Sequence, residues 1–89
     1  MSRLLIKGTQ ITVPNSVGAA TSFSEATVVR LVNTDSSAHL VTLLEEQSGA
    51  GIGSMTLPAG AVEFLEKKPA QVVLAASANV RGAKVGFTG

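Results

Sequence analysis

The sequence predicts an all-β fold, a small antiparallel β-sandwich or jelly roll of about eight short strands. Three observations carry this. Val, Ile and Thr supply 22 of the 89 residues, and their stiff side chains suit a pleated, half-buried strand. Nine Gly and three Pro, with frequent Ser and Asn, cut the chain into short pieces, a spacing of turn signals that reads as strand, turn, strand. Within the pieces, apolar residues recur at period two, the spacing of one face of a strand.

The first piece is residues 4–13, interrupted at Gly8, with Leu4 and Ile6, then Ile11 and Val13, each pair on one face. Pro14-Asn15-Ser16 ends it, because Pro cannot donate to a ladder and Asn and Ser favour turns. Residues 27–33 carry apolar groups on both faces, as a central strand does. A helix competes here, since Ser22-Phe23-Ser24-Glu25 matches a capping box. Three Val within five residues and the turn cluster that follows favour the strand. Asn33-Thr34-Asp35-Ser36-Ser37 is that cluster, its side chains suited to bonding their own backbone. Residues 39–45 are then expected as the return strand of a hairpin.

Residues 47–54, rich in Gly, read as the most flexible stretch, followed by a short strand at 55–57. Leu57-Pro58-Ala59-Gly60 suggests a type I turn with Pro second and Gly fourth. Residues 61–67 alternate Val62, Phe64 and Glu66 against Glu63, Leu65 and Lys67, and Pro69 stops them. Residues 71–76 form a compact apolar strand. Asn79 or Gly82 marks the turn before a last strand at 83–88. With no long linker and no repeat, residues 1–89 read as one sandwich domain.

Composition excludes several function classes. The net charge is +1 and the basic residues are scattered, whereas nucleic-acid binders carry a basic stripe, and single-strand binders add aromatic platforms. No segment has the roughly 18 apolar residues of a membrane helix. The apolar start stops at Lys7, too short for a secretory signal, so the chain is expected to be made and used without secretion. Without Cys, neither a disulfide nor a thiolate metal site reinforces the fold. Charged residues are 15% of the chain, against roughly 25% in ordinary soluble domains. Either part of the surface faces protein rather than water, or Ser and Thr cover it.

Chemistry-bearing constellations are sparse. His39 is the only His and Asp35 the only Asp. They flank one turn, so their proximity is weak evidence for a catalytic triad, and a strand-end histidine facing solvent is expected. Glu45 and Glu46 point to opposite faces of a strand, as do Glu63 and Glu66, which leaves no metal site. Gly49-Ala50-Gly51-Ile52-Gly53 looks like a phosphate loop, but such a loop opens a helix, and a strand follows here. No enzyme activity, metal or cofactor is therefore expected. What remains is interaction through surface and edges. Leu4, Leu5 and Ile6 are placed either to add to a neighbour's sheet or to pair within their own chain. With Gly49, Gly51, Ile52 and Gly53 they are the candidate protein-interaction residues, and residues 1–7 the candidate attachment or pairing segment.

Four pieces carry a resemblance. They are Val29-Arg30-Leu31-Val32-Asn33-Thr34-Asp35, Met55-Thr56-Leu57-Pro58-Ala59-Gly60, Glu66-Lys67-Lys68-Pro69 and Ala83-Lys84-Val85-Gly86-Phe87-Thr88. In this order, over residues 27–89, the chain resembles small virion structural proteins of tailed bacteriophages, particularly of cyanobacteria and other marine bacteria. The resemblance implies a β-sandwich subunit of a virion, made in the host cytoplasm. It points foremost to a capsid decoration or cement protein on the outside of the head. Its expected partners are the major capsid protein or another virion protein, and further copies of itself as a homo-oligomer, with no direct nucleic-acid or membrane contact. A tail, neck or fibre component is the alternative. A carbohydrate-binding module is another, disfavoured because the chain has no Trp or Tyr for sugar stacking.

Overall fold

The structure is a computed structural model that describes residues 3–88. Eight strands form two antiparallel sheets, consistent with a small β-sandwich. They are β1 (Arg3–Ile6), β2 (Ile11–Thr12), β3 (Val28–Asn33), β4 (His39–Leu44), β5 (Gly51–Leu57), β6 (Val62–Glu66), β7 (Val72–Ala75) and β8 (Val80–Thr88). The larger sheet runs β1-β8-β3-β6, with β2 also on β8, and the smaller runs β5-β4-β7. β1 and β2 lie end to end along the same nine-residue β8, pairing Leu4 with Phe87 and Ile11 with Gly82.

Among the described strands, only β4 and β5 form a hairpin between sequence neighbours. The hairpin expected between residues 27–33 and 39–45 does not exist: β3 is flanked by β8 and β6, and β4 lies in the other sheet. Local turn chemistry was sound, since Asn33 Oδ1 accepts the Asp35 amide at 3.0 Å and Asp35 Oδ1 the Ser36 amide at 2.7 Å. Such a turn fixes a reversal of the chain and leaves open which sheet the next strand joins.

Asn33 decides this. It is fully buried, and its Nδ2 donates to Ser37 O at 2.8 Å and to Leu57 O at 2.9 Å. Its backbone N–H donates to Ala61 O and its carbonyl accepts the Gly60 amide, each at 3.0 Å. Beside it, the Thr34 amide and hydroxyl both donate to Asn79 O, at 2.9 and 2.6 Å. The β3–β4, β5–β6 and β7–β8 crossings thus meet at one end of the sandwich on two adjacent residues.

The β5–β6 turn is shifted from its expected frame. Ala61 N donates to Pro58 O at 3.0 Å, so the turn spans residues 58–61. Gly60 is its third residue, at φ 72°, the left-handed position a type II turn reserves for Gly. The second half of the expected flexible stretch, from Gly51, is strand: β5 begins there and pairs with β4 through Leu57, with a bulge between Leu43 and Leu44. Gly82 marks no turn, and β8 starts at Val80, directly after Asn79.

The core between the sheets comprises Val13, Phe23, Ala26, Val29, Leu31, Val41, Leu57, Val73, Ala75 and Val80. Phe23, its one aromatic ring, arrives on an unusual backbone. The capping-box bond forms, Glu25 N to Ser22 Oγ at 3.2 Å, but Phe23, Ser24 and Glu25 have φ of 53°, 56° and 58°. The segment is a left-handed turn, in which each non-Gly residue costs roughly 1–2 kcal/mol. Burial of Phe23 offsets part of that cost, a buried Phe side chain contributing about 1.5–3 kcal/mol, and the bonds of the Glu25 and Ala26 amides to Ser22 hold the turn closed. The ring lies over Gly82, where a Cβ would stand 2.7 Å from Phe23 Cζ and 3.2 Å from Leu31 Cδ2.

Two stability predictions follow from these contacts. Asn33→Ala should destabilise by about 2–3 kcal/mol in urea unfolding, because it removes both Nδ2 bonds, to Ser37 O and Leu57 O, and the Oδ1 acceptor of the Asp35 amide from a buried site. Gly82→Ala should cost about 1–3 kcal/mol by overpacking. Adding Phe23→Ala to it should cost less than the sum of the two single changes, since they share one contact.

Candidate functional site

Among the described residues, titratable side chains are held in specific polar contacts at two places in particular. At the Asn33 end, His39 Nε2 and Asp35 Oδ2 are 2.7 Å apart. His39 is half-buried and paired, not the solvent-facing strand end expected from its position. Among the described residues, no serine hydroxyl is hydrogen-bonded to His39. The Asp35 carboxyl is held below its ordinary value, first by the His39 hydrogen bond, then by the Ser36 amide and the Asn79 side chain. At the other end Lys67 is buried, its Nζ donating to the carbonyls of Lys68 at 3.3 Å and Pro69 at 3.2 Å. Burial pushes its ammonium down in pKa, and Glu25 partly counters this. Both carbonyl partners sit in the β6–β7 crossing, a structural use of the lysine. Among the described residues, no three His, Cys, Asp or Glu side chains gather as metal ligands would.

The larger sheet presents a different kind of site. Val29 and Leu31 point into the core, so Val28, Arg30 and Val32 point outward. Register carries that outward face across the sheet: Glu66, Phe64 and Val62 on β6, Ala83 and Arg81 on β8. Continued along β8 and onto β1, it includes Val85 with Ile6 and Phe87 with Leu4. Phe64 and Phe87 confirm the shared face by meeting edge to face, centroids 5.2 Å apart at 68°. Both rings are 47% exposed and Ile6 is 81% exposed, with Leu4 and Val62 also open to solvent. A cleft of about 350 Å³ between Leu4, Ile6 and Arg30 has Ala83 and Val85 as its buried floor.

The seven residues singled out from sequence fall in separate places. Leu4 and Ile6 lie on this apolar face. Leu5 alternates to the opposite side of β1, paired with Gly86. β1 pairs with β8 of its own chain, the second of the two arrangements open to it. Gly49 sits in the β4–β5 turn, its amide donating to Glu46 O at 2.8 Å. Gly51, Ile52 and Gly53 lie in β5 at the edge of the smaller sheet, away from β1. Sequence reasoning missed Val62, Phe64 and Phe87. Their alternation is visible in the sequence, but which of the two faces is covered depends on the sheet each strand joins.

The Asp35–His39 pair gives a pH dependence with a definite sign. Asp35 has a folded pKa below its unfolded value near 3.8. The stability it contributes is therefore present above that value and lost as pH falls through the lower folded one. Thermal unfolding followed from pH 5 downward should lose less stability in Asp35→Asn than in the wild type, with the difference confined to the acid side of 3.8.

Searched against family models, curated proteins and solved structures, the chain matches none of them.

Proposed function

We propose that this chain is a structural subunit of a tailed-phage virion, a decoration or cement protein that lays the outer face of its β1-β8-β3-β6 sheet on the outside of the head. The observation that carries the reading is that face. Leu4, Ile6, Val62, Phe64 and Phe87 stand exposed on one side of one sheet, where a freely soluble antiparallel sheet turns polar residues to water. Exposed apolar surface that is contiguous rather than scattered marks a protein contact.

Size and chemistry agree with such a role. A stable interface takes about 800 Å² from each partner, roughly a sixth of this chain's 4973 Å². One face of a thin sandwich can supply that. Arg30, between Ala83 and Phe64 in register, adds a fixed charge to orient the contact. A protein that binds only the assembled shell stabilises it by mass action, and contacts repeated over a symmetric lattice add avidity. β1 contributes to the face while supplying no residue to the main core, so residues 1–7 serve attachment more than folding.

The test is co-production with the major capsid protein encoded in the same genome, followed by particle purification. The wild type should co-purify at a fixed ratio. Ile6→Glu, Phe64→Glu and deletion of residues 1–7 should each weaken binding at least tenfold, about 1.4 kcal/mol, with little change in thermal unfolding. Leu40→Glu, exposed on the smaller sheet, should bind as wild type. Normal binding by Phe64→Glu would show that the face is not the attachment surface. Absence of the wild-type protein from heads, with presence in tails, would move the subunit to the tail.

A further inference from the structure

β5 is an edge of the smaller sheet and β6 an edge of the larger, and residues of both line one open cleft. The cleft is apolar, about 200 Å³, and lined by Val41, Leu43, Ile52, Gly53, Met55 and Leu65. The sheet edges are not equally protected. The free side of β7 is taken by the segment before β3: the amides and carbonyls of Thr21 and Val73 exchange bonds at 2.8 and 3.2 Å, and Ala75 N donates to Pro14 O at 2.9 Å. β6 carries Glu63 on its core-facing side, opposite Leu31, and an inward-pointing charge on an edge strand discourages further pairing. β1 is short and begins with Arg3. From Gly53 to Leu57, beyond the bulge near its start, β5 has none of these guards. It is seven residues long, uncharged and free of Pro, with only Leu57 buried.

The direction of its free groups can be read from β4. Ala76 N donates to Leu40 O at 2.8 Å, so Leu40 turns its backbone toward β7. In an antiparallel ladder this alternates. His39, Val41 and Leu43 therefore face β5 and engage Leu57, Met55 and Gly53. Ser54 and Thr56 are left with N–H and C=O directed outward, where no described strand takes them.

We infer that β5 pairs antiparallel with β5 of a second copy about a twofold axis at Ser54, joining the two smaller sheets into one of six strands. A strand without charge or Pro selects a partner of the same character, and an isologous contact requires one self-complementary patch. β5 is such a patch. With Ser54 opposite its own copy, Thr56 faces Ile52 and Met55 faces Gly53. The pairing of Met with Gly fits the available space, since a Cβ on Gly53 would meet nothing within 4 Å. Met55 of each copy then covers the other's cleft, and the Ser54 pair exchanges two backbone hydrogen bonds across the axis. This interface lies on the opposite sheet from the proposed head-binding face and does not depend on it.

The experiment uses the purified chain alone, so its outcome is separate from any particle-binding result. Light scattering on a sizing column, over a dilution series, should give twice 9.0 kDa for the wild type at the higher concentrations. Ser54→Pro removes an outward N–H that β4 does not use, and should yield a folded monomer. Ser54→Lys places two like charges opposite each other and should raise the dimer dissociation constant at least tenfold, as should Ser54→Glu. Mixing the Lys and Glu variants should restore the dimer. Because both are surface changes, they decide the matter even where the Pro variant unfolds. A wild type that stays monomeric or forms trimers, or Lys and Glu variants that dimerise as wild type and gain nothing on mixing, overturns the inference.

Discussion

The fold depends on one buried amide. Asn33 closes the Asx turn at the end of β3, bonds Leu57 where β5 ends, and holds the 58–61 turn through its own backbone. A buried polar side chain is tolerable only when every group finds a partner, and then it specifies a unique arrangement. Here the arrangement is the exchange of strands between sheets. Because β3, β5 and β7 all cross to the opposite sheet near this residue, the two layers are sewn together by the chain itself. Apolar side chains alone would fill the space between the layers without choosing which strand crosses where.

That sewing matters because the core is thin. Its cluster holds one aromatic ring, two Leu, two Ala and five Val. Small domains bury a modest fraction of their surface, so each large side chain counts. This explains why the chain accepts three successive left-handed residues to bring Phe23 over Gly82. It also explains the second, small cluster of Ala20, Leu44 and Val72, where the segment before β3 folds over the outside of the smaller sheet. That segment therefore has two functions, since it also occupies the edge of β7 through Thr21 and Pro14.

Local information carried the strands and failed at their partners. The alternation of Val62, Phe64 and Glu66 against Glu63 and Leu65, and the Val-rich run 28–32, located β6 and β3 closely. Period and propensity are properties of neighbouring residues, and these strands express both. Whether β3 turned back on itself was decided 24 residues away, by the bond from Asn33 to Leu57. The helix that the Ser22–Glu25 capping box set against the strand does not form: its hydrogen bond is present, but on left-handed residues, and the need to bury Phe23 is a tertiary fact the local pattern does not carry. The glycine run misled for a related reason. Gly lowers strand propensity, yet β5 is held by pairing along β4, and its Gly residues leave room on a surface that is otherwise open. Of the candidate contact residues, Leu4 and Ile6 could be found because they alternate within one short segment. Phe64 and Phe87 belong to strands with thirteen residues between them, and only the tertiary fold brings their rings together.

The sheet edges are protected unequally. Glu63 and the 13–21 segment close two sheet edges, which is how a monomeric sandwich avoids uncontrolled pairing. Defences of that kind are selective only if something is left open for a purpose. What stays open is the uncharged β5 edge and the apolar face around Phe64, on opposite sheets of a layer pair too thin to hide either. An apolar face on one side and a free edge on the other give two independent directions of contact. A subunit with one sticky surface saturates as a pair, whereas one with two surfaces on different sheets can hold a partner and a copy of itself at once. For the two contacts proposed above, a net charge of only +1 leaves little repulsion to oppose either.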